Sequence, residues 1–187
     1  GPVSVHKGVV YASLAEGWVA AFNADSGKLL WAKPLNSSYR EGRPLAIINT
    51  PPVPTRHGLL VNDWQKPLVL LDYATGQQLS RPPGNVGSYA AFATVFDDVL
   101  YSVRRGGGMA VRFPGGQPVW TIDETSRSTS APIVVDGKLI YTGSSGIRVR
   151  DAATGKLIWQ KGLLNSGYQN AVPVVWDDQI LANAADM

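Results

Sequence analysis

The chain has 187 residues, of which 44% are hydrophobic and 17% are charged, a balance that is ordinary for a globular protein with one core. The formal net charge is only +3, and Lys and Arg never occur in runs longer than two, so the clustered basic patch of a nucleic-acid-binding protein is missing. There is no cysteine, which excludes disulfides and thiolate sites, and no run approaches the roughly 18 apolar residues that a membrane helix needs.

Glycine and proline are plentiful, with 20 and 13 residues, whereas phenylalanine (4) and methionine (2) are few. This composition is typical of many short elements joined by tight turns and not of a helical bundle. The first residues show no basic segment followed by an apolar stretch, so the sequence predicts no signal peptide. An all-β fold with short strands is therefore expected.

In chain order, the first 35 residues hold a series of short apolar segments. They are "PVSV" (2–5), "GVVYAS" (8–13), "WVAAF" (18–22) and "GKLLW" (27–31). Segments like the first, often opened by proline, return as "PPVP" (51–54), "APIVV" (131–135) and "VPVVW" (172–176). Segments like the last return within "DYATGQQLS" (72–80), "RFPGGQPVW" (112–120) and "DAATGKLIW" (151–159). The chain therefore repeats a unit of four strands.

The repeat period is read from the glycines that end the last turn of each copy. Gly27, Gly76, Gly116 and Gly155 follow one another at spacings of 49, 40 and 39 residues. A period near 40 with four short strands is typical of a propeller blade. The sequence thus predicts one propeller domain over 1–187, with blades at about 1–35, 50–81, 91–123 and 131–163 and a partial blade at 172–187.

Two sets of turns are expected in each blade. The turn glycines supply the positive φ that a tight hairpin needs. The first hairpin of each repeat is marked by "KG" (7–8), "HG" (57–58), "DD" (97–98), "DG" (136–137) and "DD" (177–178). "IRVRD" (147–151) alternates apolar and polar residues, which predicts a half-buried strand.

These residues resemble the quinoprotein-like, or pyrroloquinoline quinone (PQQ)-like, propeller repeat, whose motif is Ala-x-Asp-x-x-Thr-Gly with a Trp four residues after the glycine. "AFNADSGKLLW" (21–31) and "VRDAATGKLIW" (149–159) match it with few departures. "LLDYATGQQLS" (70–80) has Ser80 in place of the Trp, and "AVRFPGGQPVW" (110–120) lacks the acidic residue and the Thr. The resemblance covers essentially the whole chain and implies an all-β propeller of four-stranded antiparallel blades.

The resemblance also implies a role for the recurring Trp, which lies on the outer strand and packs against the turn of the neighbouring blade. Trp31, Trp120 and Trp159 are therefore expected to join blades rather than to bind a ligand. Ser80 occupies the Trp position of the second repeat and predicts one weakened junction.

The predicted strands do not make up a whole number of blades. Four blades end near Trp159, and 172–184 has the pattern of the first two strands of a fifth. An incomplete blade leaves an unpaired strand edge, and larger members of the family have seven or eight blades. We therefore expect an arc of a larger propeller, or a ring completed by a second chain or by self-association. The alternative is a four-bladed ring with the extra hairpin packed elsewhere.

Blade topology predicts which loops share a face. The links between blades and the middle turn of each blade project from one face, and the first and third turns project from the other. Aromatic, amide and guanidinium groups on the first face suit an anionic ligand, a sugar surface or a peptide partner. The candidate binding residues there, called the loop rim, are Tyr39, Arg40, Tyr89, Arg104, Arg105, Arg127, Tyr168 and Gln169. The alternatives are that the tyrosines only tie their loops to the next blade and that the paired arginines form a solvated turn.

The chain offers little catalytic chemistry. Its two histidines, His6 and His57, are expected to be exposed turn residues on the face opposite the loop rim. The sequence has no metalloprotease motif, nucleophile elbow or phosphate-binding glycine loop. The acidic pairs at 97–98 and 177–178 align with the turn at 136–137 and are expected to be turns as well. No catalytic residue and no metal site is predicted.

Quinoprotein dehydrogenases, the enzymatic branch of the resemblance, bind PQQ and calcium with an adjacent Cys pair and a catalytic Asp. This chain has no Cys and no recognisable set of calcium ligands, so no cofactor is expected. PQQ and calcium enter only under the alternative that the chain is a fragment of a quinone-dependent dehydrogenase.

The leading hypothesis is a non-catalytic PQQ-like propeller module, a scaffold that binds a protein or carbohydrate partner on its loop rim. Because family members are mostly periplasmic or secreted, the resemblance implies an extracytoplasmic location. Besides the dehydrogenase fragment, the open alternative is an accessory propeller domain of a larger enzyme such as a phosphatase or kinase.

Overall fold

The computed structural model describes residues 3–14, 17–35, 51–61, 68–80, 92–104, 106–123, 131–143, 146–162, 173–177 and 179–181. Eighteen strands lie in these ranges, and they form four four-stranded antiparallel sheets and one two-stranded sheet. The predicted fold class, an all-β propeller of four-stranded antiparallel blades with the first hairpin of a fifth, is confirmed.

The chain divides into two compact units, and the first, Gly1–Tyr89, holds blades 1 and 2. The strands of blade 1 are β1 (Val3–His6), β2 (Val9–Ser13), β3 (Trp18–Asn23) and β4 (Leu29–Pro34). Those of blade 2 are β5 (Val53–Thr55), β6 (Gly58–Val61), β7 (Val69–Leu71) and β8 (Gln78–Ser80). Each blade pairs its strands in chain order.

The second unit, Ala90–Met187, holds blades 3 and 4 and a further hairpin. The strands of blade 3 are β9 (Phe92–Phe96), β10 (Val99–Arg104), β11 (Gly107–Arg112) and β12 (Pro118–Ile122). Those of blade 4 are β13 (Ile133–Val135), β14 (Lys138–Gly143), β15 (Gly146–Asp151) and β16 (Leu157–Lys161). The hairpin consists of β17 (Val174–Trp176) and β18 (Gln179–Leu181).

The first hairpin of blades 1, 3 and 4 turns through two residues that both have positive φ. This is the signature of a type I′ turn, whose twist matches that of the flanking strands. The pairs are Lys7 (48°) and Gly8 (74°), Asp97 (47°) and Asp98 (53°), and Asp136 (48°) and Gly137 (70°). The dipeptides predicted for these three turns are confirmed.

The first hairpin of blade 2 departs from that prediction. Thr55 lies opposite Gly58, so the turn residues are Arg56 and His57 and not His57 and Gly58. The Thr55 Oγ1 accepts the His57 N–H at 3.1 Å and donates to the Gly58 carbonyl at 2.7 Å. The predicted "HG" turn is wrong by one residue because a threonine side chain, not a glycine, closes it.

The outer turn of blades 1, 2 and 4 is held by its own side chains. Asp72 Oδ1 accepts both the backbone N–H of Thr75, at 2.8 Å, and its hydroxyl, at 2.7 Å. Asn23 with Ser26 and Asp151 with Thr154 repeat these distances. The following glycine has positive φ in each, 68°, 67° and 73° at Gly27, Gly76 and Gly155. The Asp-x-x-Thr-Gly motif is thus a self-bonded turn.

First and outer turns meet at one end of a blade, as predicted. The Ala24 N–H donates to the Gly8 carbonyl at 2.8 Å in blade 1, and Ala152 to Gly137 at 2.8 Å in blade 4. In blade 3 the same bond joins Phe113 to Asp98. These backbone bonds close the end of the blade that carries the glycine turns, called the turn end below.

A row of three side chains crosses blade 1 at its outer tryptophan. Trp31 lies opposite Ala21, which lies opposite Tyr11. Because the alanine leaves room, the rings of Trp31 and Tyr11 approach to 6.1 Å at 43°. Blade 3 repeats the row, at 6.1 Å and 45°, with Trp120, Ala110 and Tyr101. The alanine of the sequence motif therefore provides the space in which the two aromatic rings pack.

The tryptophan of each row contacts the next blade. Trp31 Nε1 donates to the Tyr73 carbonyl at 2.8 Å, and Trp120 Nε1 donates to the Ala152 carbonyl at 2.9 Å. Both indoles are buried, with 8% and 9% of their surface exposed. The prediction that these two tryptophans join blades is confirmed. Trp159 is 41% exposed, and its role, like the junction at Ser80, stays a prediction.

Each unit has an apolar core between its blades. In the first unit the core residues are Tyr11, Val19, Ala21, Trp31, Leu35, Leu59, Val61, Val69 and Leu71. In the second unit they are Val99, Tyr101, Val103, Ala110, Trp120, Leu139, Tyr141 and Ala152. A further cluster of Ile140, Ile147 and Val149 packs against Val175 and Ile180 of the hairpin. Burial of these surfaces is the main favourable term in blade packing.

Strand β15 is buried on both faces, and the prediction of a half-buried strand is wrong. Val149 is fully buried, and Arg148 on the opposite face is only 8% exposed. The alternation of "IRVRD" misleads because both faces of this strand are covered, one by the hairpin of β17 and β18 and the other by blade 3. Arg150 Nε donates to Tyr141 Oη at 2.8 Å and Arg150 Nη1 to the Gly155 carbonyl at 3.0 Å, so this guanidinium serves the packing of the blade.

Candidate functional site

The loop rim lies almost entirely outside the described residues. Arg104 is the exception, and only its backbone is described: it ends β10 and lies opposite Gly107 of β11. The other predicted residues, all outside the described ranges, are Tyr39, Arg40, Tyr89, Arg105, Arg127, Tyr168 and Gln169. Their convergence therefore stays a prediction.

The strands that flank these loops end at a common end of each blade. The Leu35 N–H, at the start of the link 36–50, donates to the carbonyl of Gly17 in the middle turn at 2.9 Å. In blade 3, Ile122 lies opposite Gly108, next to the turn that follows Arg104. Links and middle turns thus begin together at the end opposite the turn end.

One aromatic side chain of the described residues adds to this end. Trp18 begins β3 opposite Pro34 and is 39% exposed. Its carbonyl accepts the Leu14 N–H at 2.8 Å, which holds the backbone at the base of the middle turn. Leu14 is 37% exposed as well. Trp18 could have been identified from the sequence by its position at the start of the third strand of a blade.

The turn end of the first unit carries a cleft that the sequence did not indicate. Its volume is about 510 Å³, and its lining residues are His6, Lys7, Val9, Tyr11, Leu30, Tyr73 and Ala74. The His6 ring stacks on Tyr73 at 5.2 Å and 22°. Tyr73 stands where blades 1 and 4 have Ala24 and Ala152, and this difference is the signal that could have revealed the cleft.

Neither histidine is as exposed as predicted, and only His57 is a turn residue. His6 is the last residue of β1 and is half-buried under Tyr73. His57 is half-buried as well, and its Nε2 accepts the Arg56 Nε–H at 3.2 Å. The expectation of exposure is wrong for His6 because the Tyr73 ring covers it, and His57 is half-buried as well.

The phenols of the cleft are held neutral. Burial raises the pKa of Tyr11, and the negative charge of Asp72 raises it further. Burial also raises the pKa of Tyr73, whose hydroxyl accepts the Thr55 N–H at 2.7 Å and donates to the Thr55 carbonyl at 2.6 Å. The cleft therefore offers ring stacking and hydrogen bonding, and the Tyr73 hydroxyl is committed to the backbone.

The described residues do not fit a calcium-dependent cofactor site. Calcium takes six to eight oxygen ligands, usually with several carboxylates. The hydrogen bond from the Thr75 hydroxyl, with that from its N–H, lowers the pKa of Asp72, and Thr154 does the same for Asp151. These carboxylates are thus engaged in separate turns. Within the described ranges, no group of three His, Cys, Asp or Glu residues could hold a metal ion.

With this geometry, the chain can be assigned to a class: it is a PQQ-like β-propeller protein. It belongs to the family described as the outer membrane protein assembly factor BamB, whose model matches residues 1–121 and 108–187. No curated protein sequence matches the chain. The described part of the chain holds no helix long and apolar enough to cross a membrane.

Solved structures share the fold at low sequence identity. The chain is similar to the computationally designed Ika8 protein, with a TM-score of 0.71, 17% identity, and coverage of 96% of this chain and 54% of that one. It is similar to BamB from Moraxella catarrhalis, with a TM-score of 0.68, 19% identity, and coverage of 95% and 53%. For the quinohemoprotein alcohol dehydrogenase ADHIIG from Pseudomonas putida the TM-score is 0.61, the identity 18%, and the coverage 87% and 34%. The chain spans about half the length of the first two.

Proposed function

We propose that this chain is a non-catalytic PQQ-like propeller module that binds a protein partner through its loop rim. The observation that carries the proposal is a difference between the two ends of a blade. At the turn end the first and outer turns of a blade are tied to each other by backbone bonds, such as Ala24 to Gly8. The links between blades at the opposite end hold three of the chain's seven tyrosines, and the middle turn of blade 3 holds the paired arginines.

The composition of the loop rim favours a protein partner. Tyr, Trp and Arg are enriched where protein interfaces are strongest, because they combine large contact area with directed hydrogen bonds. The proposed contact residues are Tyr39, Arg40, Tyr89, Arg104, Arg105, Arg127, Tyr168 and Gln169, with Trp18 added beside the first link. The family description as an outer membrane protein assembly factor supports a protein rather than a carbohydrate ligand and supports an extracytoplasmic location.

We also propose that the rim belongs to a larger ring. Four blades and a hairpin correspond to about half of the designed propeller and of BamB. A ring of about eight blades would follow, at the upper end of the range common in propellers. The rim of this chain would then be one arc of a continuous binding surface.

A cross-linking experiment tests the proposal. Because the chain has no cysteine, a single introduced thiol is a unique attachment point for a photo-reactive maleimide. Arg127→Cys and Tyr168→Cys place the label on the rim, and Asp25→Cys, an exposed residue of an outer turn, places a matched label at the turn end. The labelled proteins are irradiated with a bacterial envelope extract.

Rim labels are expected to give a discrete protein adduct that excess unlabelled chain abolishes, whereas the turn-end label gives none. The adduct is identified by mass spectrometry. Equal adducts from both ends, or adducts that unlabelled chain does not compete away, would contradict the proposal.

The second candidate function is a fragment of a quinone-dependent dehydrogenase. The similarity to the quinohemoprotein alcohol dehydrogenase over 87% of the chain favours it. Calorimetric titration with PQQ and Ca²⁺ distinguishes the two functions. The leading proposal expects no saturable heat with either, and saturable binding of PQQ that requires Ca²⁺ would favour the dehydrogenase.

A further inference from the structure

The cleft at the turn end of the first unit contains side chains that the repeat itself does not require. The junction of blades 3 and 4 has the same row of tryptophan, alanine and tyrosine, but Phe96 stands there at the position of His6. Ala152 stands at the position of Tyr73, and Phe96 is 50% exposed. The stacked pair of His6 and Tyr73 is therefore an addition to the blade junction and not a part of the repeat.

The cleft presents one hydrogen-bond donor that the chain leaves unused. Tyr11 lines the cleft and is 2% exposed, yet its hydroxyl makes no hydrogen bond within the described part of the chain. By contrast, the Tyr73 hydroxyl is bonded to the backbone of Thr55, and the Tyr141 hydroxyl accepts a bond from Arg150. A buried phenol hydroxyl usually has a partner, because an unpaired buried polar group costs free energy. Burial raises the pKa of Tyr11, so this hydroxyl keeps its proton and can donate.

The charged groups at the cleft favour a negative ligand. Lys7 and His6 line it, and none of the described lining residues is acidic. In blade 3 the residue at the position of Lys7 is Asp97. The charge of Asp72 acts on Tyr11 from outside the lining, but its Oδ1 is occupied by hydrogen bonds within its own turn. An ammonium group, an imidazole N–H and a phenol hydroxyl together suit a carboxylate.

The remaining walls of the cleft are apolar and aromatic. Val9, Leu30 and Ala74 line it beside the rings of Tyr11 and Tyr73, whose centroids are 5.6 Å apart at 53°. The volume of about 510 Å³ lies in the range of small-molecule sites. Aromatic faces bind flat apolar groups by stacking. A ligand with a flat apolar body and one negative charge would use both kinds of wall.

We propose that this cleft binds a small aromatic monocarboxylate, whose carboxylate is bonded to the Tyr11 hydroxyl, the Lys7 ammonium and the His6 ring. The aromatic ring of the ligand packs against Leu30, which is 49% exposed when the cleft is empty. The site lies at the end of the blade opposite the loop rim. The inference therefore goes beyond the proposed binding of a protein partner and does not depend on it.

Proton NMR of the full chain with phenylacetate tests the proposal. The chain has only two histidines, so the imidazole C–H signals are few, and His57→Gln assigns those of His6. Phenylacetate is expected to shift the His6 signals more than those of His57, with a dissociation constant of about 1 mM for so small a probe. Two matched compounds are titrated at the same pH. Phenylacetamide keeps the ring without the charge, and acetate keeps the charge without the ring, and both are expected to bind at least about tenfold more weakly.

Variants locate the site. Tyr11→Phe is expected to weaken binding of phenylacetate about tenfold, because it removes the donor and keeps the ring. Tyr101→Phe is the matched control, since this hydroxyl is likewise unbonded among the described residues but lies in the junction that has Asp97 in place of Lys7. It is expected to leave the dissociation constant unchanged. Lys7→Asp copies the residue that blade 3 tolerates in the same turn and is expected to abolish binding.

Amide spectra of each variant show whether it is folded, and Lys7→Asp, a change at an exposed turn residue, keeps the test valid if Tyr11→Phe unfolds. Equal shifts of both histidines, or acetate binding as strong as that of phenylacetate, would mean binding of an adventitious ion only and would overturn the inference. Phenylacetamide that binds as well as phenylacetate would contradict the role of charge. Unchanged affinity in a folded Tyr11→Phe or Lys7→Asp variant would place the ligand elsewhere.

Discussion

The indole of Trp31 donates its Nε1–H to the carbonyl oxygen of Tyr73 at 2.8 Å, so one side chain of the outer strand of blade 1 is anchored to the outer turn of blade 2. The two residues are 42 positions apart, close to the repeat period. Trp120 and Ala152 repeat the bond at 2.9 Å, 32 positions apart. A short sequence motif thereby contains both halves of a junction, the indole that donates and the turn that accepts.

Replacement of Gly76 by Ala is expected to destabilise the first unit more than replacement of Gly27. Both glycines have nearly the same φ, 67° and 68°, so both variants carry the same backbone cost of about 1 kcal/mol. Only at Gly76 does the new Cβ meet the Trp31 ring, which adds about 1–3 kcal/mol of overpacking. Urea unfolding of both variants measures the difference, and equal losses of unfolding free energy would contradict the packing of the Trp31 ring against Gly76.

Trp31→Phe and Trp120→Phe are expected to lower the free energy of unfolding by about 1–3 kcal/mol each. Each variant keeps an aromatic ring but leaves a buried carbonyl without its donor and leaves space at the junction. Trp159→Phe is the matched control, because that indole is 41% exposed, and its loss is expected to stay below about 0.5 kcal/mol. Chemical denaturation of the three variants side by side would reveal a wrong assignment if Trp159→Phe cost as much as the others.

Acid is expected to loosen the outer turns of blades 2 and 4 but not that of blade 1. Hydrogen bonds from Thr75 and Thr154 lower the pKa of Asp72 and Asp151, so their ionised forms favour the folded state. That contribution is present above the ordinary carboxyl pKa and is lost as the pH falls below about 4. Asn23 makes the same bonds without a titrating group.

The double variant Asp72→Asn and Asp151→Asn should therefore lose less stability than the wild type between about pH 5 and pH 2. Unfolding curves at a series of pH values give the two slopes. Parallel slopes would show that these carboxylates do not contribute to the acid sensitivity.

The pair of Arg150 and Tyr141 is expected to couple energetically. Arg150 Nε donates to the Tyr141 hydroxyl at 2.8 Å, while Nη1 holds the Gly155 carbonyl at 3.0 Å. Tyr141→Phe should cost about 1 kcal/mol, and Arg150→Met more, because it releases the turn as well. A double-mutant cycle is expected to give a coupling of about 0.5–1.5 kcal/mol, whereas additive losses would mean that the bond contributes nothing.

Much of the fold followed from local pattern. The turn glycines all have positive φ, and the type I′ turns fall at "KG", "DD" and "DG", because a two-residue hairpin admits few residues at those dihedral angles. The place of Trp31 and Trp120 also followed, through the resemblance of their motif to a known repeat. The loop-rim residues are a different case, since apart from the backbone of Arg104 they lie outside the described ranges.

Two of the failed predictions arise from contacts with residues distant in the sequence, and the third arises from a neighbouring side chain. The alternation of "IRVRD" indicated one exposed face, yet Arg148 is buried because β15 is covered on both sides. The "HG" dipeptide indicated a turn, yet Thr55 closes the hairpin one residue earlier. His6 looked like an exposed turn residue, yet Tyr73, 67 positions later, stacks on it.

The sequence by itself determined the strands, their turns and the blade repeat, because these depend on dihedral preferences and on spacings within a few residues. Only the tertiary structure decided which faces are covered. Gly76 and Gly27 have the same local motif and nearly the same φ, but an indole from another blade fills the space over the first, and no described side chain fills the space over the second. Burial is a property of two surfaces brought together, so a local motif predicts the shape of a docking site and not its occupant.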